Sequence, residues 1–311
     1  MAFSVGFTRF VISSDPGSAK DILSSSAFAD RPIKESAYEL LFNRAMGFAP
    51  FGEYWRELRR ISATYMFSPK KIACAEGFRK NTNGSKGDVE IKQVLHYGSL
   101  NNMMMTVFGK YYDFGENGDG LELEGFVSEG YKLLGTFNWS DHFPILGWLD
   151  VQGVRRRSRK LEMIFRGTDT VAILLEWILA RLVLHPDIQA KALAEIETTI
   201  GSSRAAPSFH GLVLQSTTHM LGQYFVPAGT TAMVNMWAIA HDKGIWSEPE
   251  EFRPERFIEQ DVSVMGSDMR LAPFGSGRRV CPGKTMGLVT VHIWLAVLLQ
   301  NLSGPLRMMW I

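Results

Sequence analysis

The sequence predicts a mainly α-helical protein with a small β region, and three observations carry that reading. Apolar residues recur at helical spacing through most of the chain. Period-two alternation with β-branched residues is confined to an opening stretch and a short segment near residue 225. Late in the chain, a loop dense in glycine around one cysteine runs directly into an apolar helical pattern.

At 311 residues, with 46% hydrophobic and 21% charged side chains, the composition is that of an ordinary globular protein. The 33 basic and 32 acidic residues leave a net charge of +1, so no global field recruits nucleic acid. Cys74 and Cys281 are the only cysteines and stand in unlike contexts, which argues against a disulfide framework or a paired-cysteine zinc site. The opening MAFSVGFTRFVISSDP has neither the pattern of a signal peptide nor an apolar span of ~20 residues, so no anchor is expected in it.

Residues 3–13 alternate apolar and polar side chains and stop at Asp15-Pro16-Gly17, which predicts one or two short strands. Helical patterns follow at 35–42, 54–66 and 93–107, with turn-rich sequence at 81–87 and a loop at 115–120. The run GVRRRSRK at 153–160 reads first as a solvated helix end, with a reductase- or membrane-facing patch as the alternative. The longest helical pattern, 161–184, ends at His185-Pro186, and Pro186 opens a further helix to Gly201. The apolar runs 171–184 and 288–299 are interrupted by Glu176, Arg181 and His292, and read as buried helices. Between 202 and 222 the periodicity fades, before a short strand through Phe225 and Val226 into Pro227-Ala228-Gly229.

Residues 273–284 read PFGSGRRVCPGK, where Gly275, Gly277 and Gly283 allow close backbone approach to something flat or bulky. A cysteine near a helix start, beside Arg278 and Arg279, has its thiolate favoured by the helix field and by positive charge. Such a sulfur is a nucleophile, a metal ligand, or inert. A nucleophile needs a base, and His292 lies about three helical turns away. For a lone cysteine, burial as an inert side chain is the common outcome.

The complete pattern Phe-x-x-Gly-x-Arg-x-Cys-x-Gly, formed by Phe274, Gly277, Arg279, Cys281 and Gly283, resembles the haem loop of the cytochrome P-450 family. The resemblance implies haem b, iron protoporphyrin IX, with Cys281 as its proximal thiolate metal ligand. It also implies that Arg279 pairs with a haem propionate and that Phe274 packs near the sulfur. Gly167-Thr168-Asp169-Thr170 resembles the family's oxygen-binding groove, with Gly167 making room for dioxygen and Asp169 and Thr170 relaying protons. Arg166 replaces the usual small residue before that glycine. Trp55 and Arg59, four apart on one helical face, resemble the second propionate clamp, where indole and guanidinium meet one carboxylate. FRPERF at 252–257 resembles the family's PERF segment, with Arg256 in a structural role, and FVPAGT at 225–230 resembles the strand before it. The stretches FADRPIKESAYELLF, FAPFGEYWRELRR, SLNNMMMTVFGKYYDF and NWSDHFPILGWLDVQGVRRR look like the plant growth-regulating, microsomal subgroup.

That family implies an oxidoreductase inserting one oxygen atom of O2 into a small lipophilic, fatty-acid-like substrate, fed by an NADPH-dependent flavoprotein reductase at the endoplasmic reticulum membrane. The chain reads as a single incomplete cytochrome P-450 domain over 1–311, with internal deletions near 160/161 and within 202–224. The basic run passes straight into the oxygen-binding helix, and no Glu-x-x-Arg stands between 201 and 225 to meet Arg256. Leaving a buried charge without its partner costs ~3–5 kcal/mol against a domain's ~5–15 kcal/mol. A catalytically silent, shortened form acting at most by binding is therefore the alternative expectation.

Overall fold

The computed structural model describes residues 1–32, 34–35, 37, 45–70, 91–115, 118–148, 150–158, 169–198, 212–214 and 219–301. Its helices are α1 (Pro16–Ser24), α2 (Glu53–Ile61), α3 (Ile91–Phe108), α4 (Gly120–Gly135), α5 (Val154–Ser158), α6 (Asp169–Leu184) and α7 (Pro186–Thr198), then α8 (Met236–Ala240), α9 (Arg256–Glu259) and α10 (Lys284–Asn301). The strands are β1 (Ala2–Val5), β2 (Thr8–Ser13), β3 (Leu212–Leu214), β4 (His219–Leu221), β5 (Tyr224–Val226) and β6 (Thr230–Val234).

Mainly α with a small β region is what forms. The opening alternation becomes a hairpin, with Ala2 opposite Val11 and Val5 opposite Thr8. Its turn uses Gly6 at φ +56°, where an added Cβ would lie 2.5 Å from the His142 carbonyl oxygen. β2 continues in parallel with β6, from Arg9–Thr230 to Ser13–Val234, and β3 adds to β6 antiparallel, giving the order β1-β2-β6-β3. β4 and β5 form a separate hairpin.

Two compact units divide the chain. The first comprises Met1–Ile61, Phe126–Ile164 and Ala206–Cys281, the second Ser62–Gly125, Phe165–Ala205 and Pro282–Ile311. In the first, α1 is started by the Asp15 carboxylate accepting from the Ser18 amide at 2.7 Å, with proline in its first turn. Its buried Ala19 and Ile22 pack with Phe28, Val226, Ala232, Val234, Ile239 and Met269. In the second, Ala172, Leu175 and Leu179 of α6, at helical three-and-four spacing, bury against Leu95 of α3 and against Val291 and Trp294 of α10.

Several expectations are adjusted. The 54–66 helix ends at Ile61 and continues as a π turn over Ser62–Met66, closed by the Phe67 amide on the Ser62 carbonyl at 2.9 Å. Ser62 and Thr64 are weak helix formers whose hydroxyls compete for backbone groups. The featureless 202–224 stretch contains β3 and β4, strands of three residues and too short to display alternation. Of the 161–184 pattern, α6 covers 169–184, and 161–168 lie outside the described residues, as does the 35–42 helix apart from Glu35 and Ala37. Among the described residues, no helix is long and apolar enough to cross a membrane.

Candidate functional site

The cysteine loop is folded tightly before α10 begins. Gly275 takes φ +68°, a single 3-10 turn spans Gly277–Arg279, and the Cys281 amide donates to the Phe274 carbonyl at 2.9 Å. Cys281 forms no disulfide among the described residues and is half-buried. Gly277, at φ +64°, rests on the end of α1, and a Cβ there would sit 2.0 Å from the Leu23 carbonyl oxygen. The motif therefore requires glycine at 277 for contact with another segment as well as for backbone conformation. Arg278 fastens the same junction, its Nε donating to the Ser24 carbonyl at 3.1 Å. Gly283 caps α10, its carbonyl accepting from the Gly287 amide at 2.8 Å. The helix thus starts at Lys284, three residues beyond Cys281 rather than at it.

Arg279 and Arg59 converge on one indole. The Arg279 guanidinium lies 4.5 Å from the Trp55 ring centroid and that of Arg59 5.6 Å from it. Arg279 donates to the carbonyls of Ala29 (2.9 Å), Met46 (3.3 Å) and Ala49 (2.8 Å). Arg59 Nη1 donates to the Val280 carbonyl at 2.6 Å, next to the cysteine, and the Trp55 indole N–H donates to Met46 at 3.2 Å. Two propionate clamps inferred from separate parts of the sequence are thus one cluster in the first unit. Indole and guanidinium at 55 and 59 meet backbone carbonyls here, where a shared carboxylate was expected.

The cluster is electrostatically strained. Burial pushes the Arg279 pKa down to about 10, with Asp30 opposing the shift and the Arg59 charge adding to it. Burial likewise lowers that of Arg59, with Cys281 opposing. Two half-buried like charges around one indole, with Asp30 coupled to Arg279, are favoured further when another anion joins them. A rim carrying carboxylates supplies that anion, so this donor set fits the propionate edge of a haem placed against Cys281.

Sequence reading missed the collar around Arg279. Ala29, Met46 and Ala49 contribute carbonyl oxygens, which no residue type advertises. Asp30 closes the collar, its carboxylate accepting from the Phe51 amide at 2.6 Å. The FADRP tetrad-and-proline was visible as a subgroup resemblance, but nothing in it signalled contact with residue 279.

Arg256 corrects an expectation. It is 7% exposed, yet Nε donates to Arg253 (3.1 Å), Nη1 to Ser247 (2.8 Å), and Nη2 to Glu248 (2.8 Å) and Glu251 (3.0 Å), all backbone carbonyls. A ring of carbonyl dipoles from the 247–253 turns solvates the cation, so the missing Glu-x-x-Arg does not leave a bare buried charge. The oxygen-relay candidates lie in the second unit. Asp169 and Thr170 open α6, Thr170 is exposed, and Gly167 lies outside the described residues.

A glycine-bounded cysteine loop lies beside a cation cluster whose donors fit the carboxylates of an anionic porphyrin. The family model for cytochrome P450 matches residues 1–160, 157–213 and 212–306, and the chain belongs to that family. Members bind haem and draw electrons from a redox partner. The chain is 50% identical to cytochrome P450 78A5 of Arabidopsis thaliana, over 97% of this chain and 76% of that one. It is 43% identical to cytochrome P450 78A9 of the same plant, over 97% and 73%, and 28% identical to its flavonoid 3'-monooxygenase, over 97% and 78%. These relatives place it with the plant 78A subgroup. The alignment with 78A5 runs over 394 positions, more than the 311 residues available, so it opens gaps in this chain.

Proposed function

We propose that the chain is a haem-thiolate monooxygenase acting on a small lipophilic substrate, fatty-acid-like in chemistry, with electrons from an NADPH-dependent flavoprotein reductase at the endoplasmic reticulum membrane. The convergence of Arg279, Arg59 and Trp55 beside the Cys281 loop carries this reading. Haem b, when bound, would supply the dioxygen chemistry, favoured by a thiolate ligand. This chain's own residues do the rest. Cys281 holds the iron, and Phe274, Gly277 and Gly283 shape the loop that presents its sulfur. Arg279, Arg59 and Trp55 bind and orient the carboxylate rim. Thr170 holds a proton on its hydroxyl and Asp169 hands protons on at its carboxyl, with Gly167 the glycine that the family resemblance assigns to the oxygen groove. Arg256 keeps the 247–259 turns in place.

A second reading is a catalytically silent single domain, and the internal deletions it assumes have their own support. The family model matches in three pieces that meet at 157–160 and 212–213, near the joints inferred at 160/161 and within 202–224. One spectrum separates the two. Reduced protein reconstituted with haem and treated with carbon monoxide should give the red-shifted Soret band of a thiolate-ligated iron, and Cys281→Ala should abolish it. A wild-type spectrum without that band leaves only the silent form; the band persisting in Cys281→Ala overturns the ligand assignment.

A further inference from the structure

The collar that receives Arg279 is built from two stretches of chain. Ala29 supplies one carbonyl, to Arg279 Nε, while Met46 and Ala49 supply the others, to Nη1 and Nη2. A guanidinium is a rigid fork, so its bonds can all be good at one spacing of those stretches and weaken at others.

Asp30 ties the stretches together. It follows Ala29 directly, and its Oδ1 accepts from the Phe51 amide at 2.6 Å, two residues beyond Ala49. The tie therefore sits on the chain beside Ala29 and Ala49, the two carbonyls that bond Arg279 most closely. Phe51 carries it further. Its ring meets the Trp55 indole at 5.4 Å, tilted by 49°, with the Arg278 guanidinium 5.5 Å and that of Arg56 5.7 Å from its centroid. Arg278 fastens the cysteine loop to α1, and Trp55 is the indole shared by Arg279 and Arg59. Asp30 also acts by charge, since it favours the protonated form of Arg279 and so opposes a second anion at the same guanidinium.

We infer that Asp30 is a positioning residue for the propionate cluster, its carboxylate bracing the two halves of the carbonyl collar while its negative charge limits how tightly a further anion is held. The inference rests on the haem reading above. Bracing and charge act in opposite directions, which makes them separable. Asparagine keeps a carbonyl oxygen for the Phe51 amide and removes the charge, whereas alanine removes both.

The test compares wild type, Asp30→Asn and Asp30→Ala as full chains. In haem-free protein, hydrogen exchange at the Phe51 amide should match wild type in Asp30→Asn and be about tenfold faster in Asp30→Ala. In haem-loaded protein, transfer to an acceptor apoprotein should be about tenfold faster than wild type for Asp30→Ala and about threefold slower for Asp30→Asn. Added salt should shrink the Asp30→Asn difference and leave that of Asp30→Ala, a split that a merely structural residue would not give. Should circular dichroism show Asp30→Ala to be unfolded, Phe51→Leu, which keeps the amide and removes the ring contacts, decides the bracing half. It should speed transfer by about threefold, and transfer at the wild-type rate overturns the brace. Wild-type transfer in both Asp30 variants, or equal acceleration in both, overturns the proposal while a thiolate-type Soret band in the wild type keeps the haem reading. Absence of that band in the wild type overturns the haem reading, and the proposal with it.

Discussion

Arg279 and Arg256 are both drawn out of water, both donate to backbone carbonyls, and both were expected to face carboxylates. Their surroundings differ in what is left over. Around Arg256, four hydrogen bonds from three nitrogens converge on one run of turns. Around Arg279, a second guanidinium lies over the same indole, and the cation is destabilised toward a pKa of about 10. The first is a finished structural staple. The second has the character of the receptor proposed above, since its electrostatics improve when a further anion arrives, which is how binding sites and structural sites differ when built from the same residue.

That contrast can be broken by substitution. Arg256→Ala leaves four carbonyls without their donor and should lower unfolding stability by about 3–5 kcal/mol in urea titrations, whether or not haem is present. A loss below about 1 kcal/mol would show that the ring of carbonyls is not holding the fold. Arg279→Ala should destabilise the haem-free chain less, because it also relieves repulsion with Arg59. Its effect should instead be on retention, with haem transfer to an acceptor apoprotein about ten- to hundredfold faster, the worth of a charge-assisted hydrogen bond. Unchanged transfer would remove Arg279 from the propionate cluster.

Arg270 supplies the smallest effect and the reference for an ordinary pair. It donates to Asp268 at 2.6 Å near the surface. The bond holds the Asp268 carboxyl below its ordinary 3.8. The contribution is therefore complete above that value and is lost as pH falls from it toward the lowered one. Asp268→Asn should flatten the acid limb of a stability-versus-pH curve by under about 1 kcal/mol, and salt should shrink the difference further. A larger, salt-insensitive loss would mean that the pair is more deeply embedded than its exposure indicates.

Much of the site was legible because its information is carried by side-chain identity at fixed spacing. Gly277, Arg279 and Cys281 were identifiable from ten residues, and Trp55 with Arg59 from one helical turn. The body helices α3 and α6 were legible for a related reason, since their apolar spacing persists over several turns. What escaped was made of backbone. The collar of Ala29, Met46 and Ala49 and the ring around Arg256 use carbonyl oxygens, which every residue possesses and no sequence pattern marks. The strands β3 and β4 escaped through brevity, because three residues cannot establish an alternation.

The seating of Gly277 and Arg278 on α1 has a kinetic meaning. Arg278 reaches the Ser24 carbonyl across 254 positions of chain, and β2 waits for β6 across more than 200. During synthesis β2 waits for β6, and the end of α1 for Gly277 and Arg278, until most of the residues between them have followed. Closure of the cysteine loop is therefore a late event in folding, and cofactor capture competes at that moment with association through exposed strand edges. A ribosome-bound chain halted before residue 278 should have no loop seated on α1, which makes the synthesis of residues 278–283 the interval that decides whether the thiolate is ever presented.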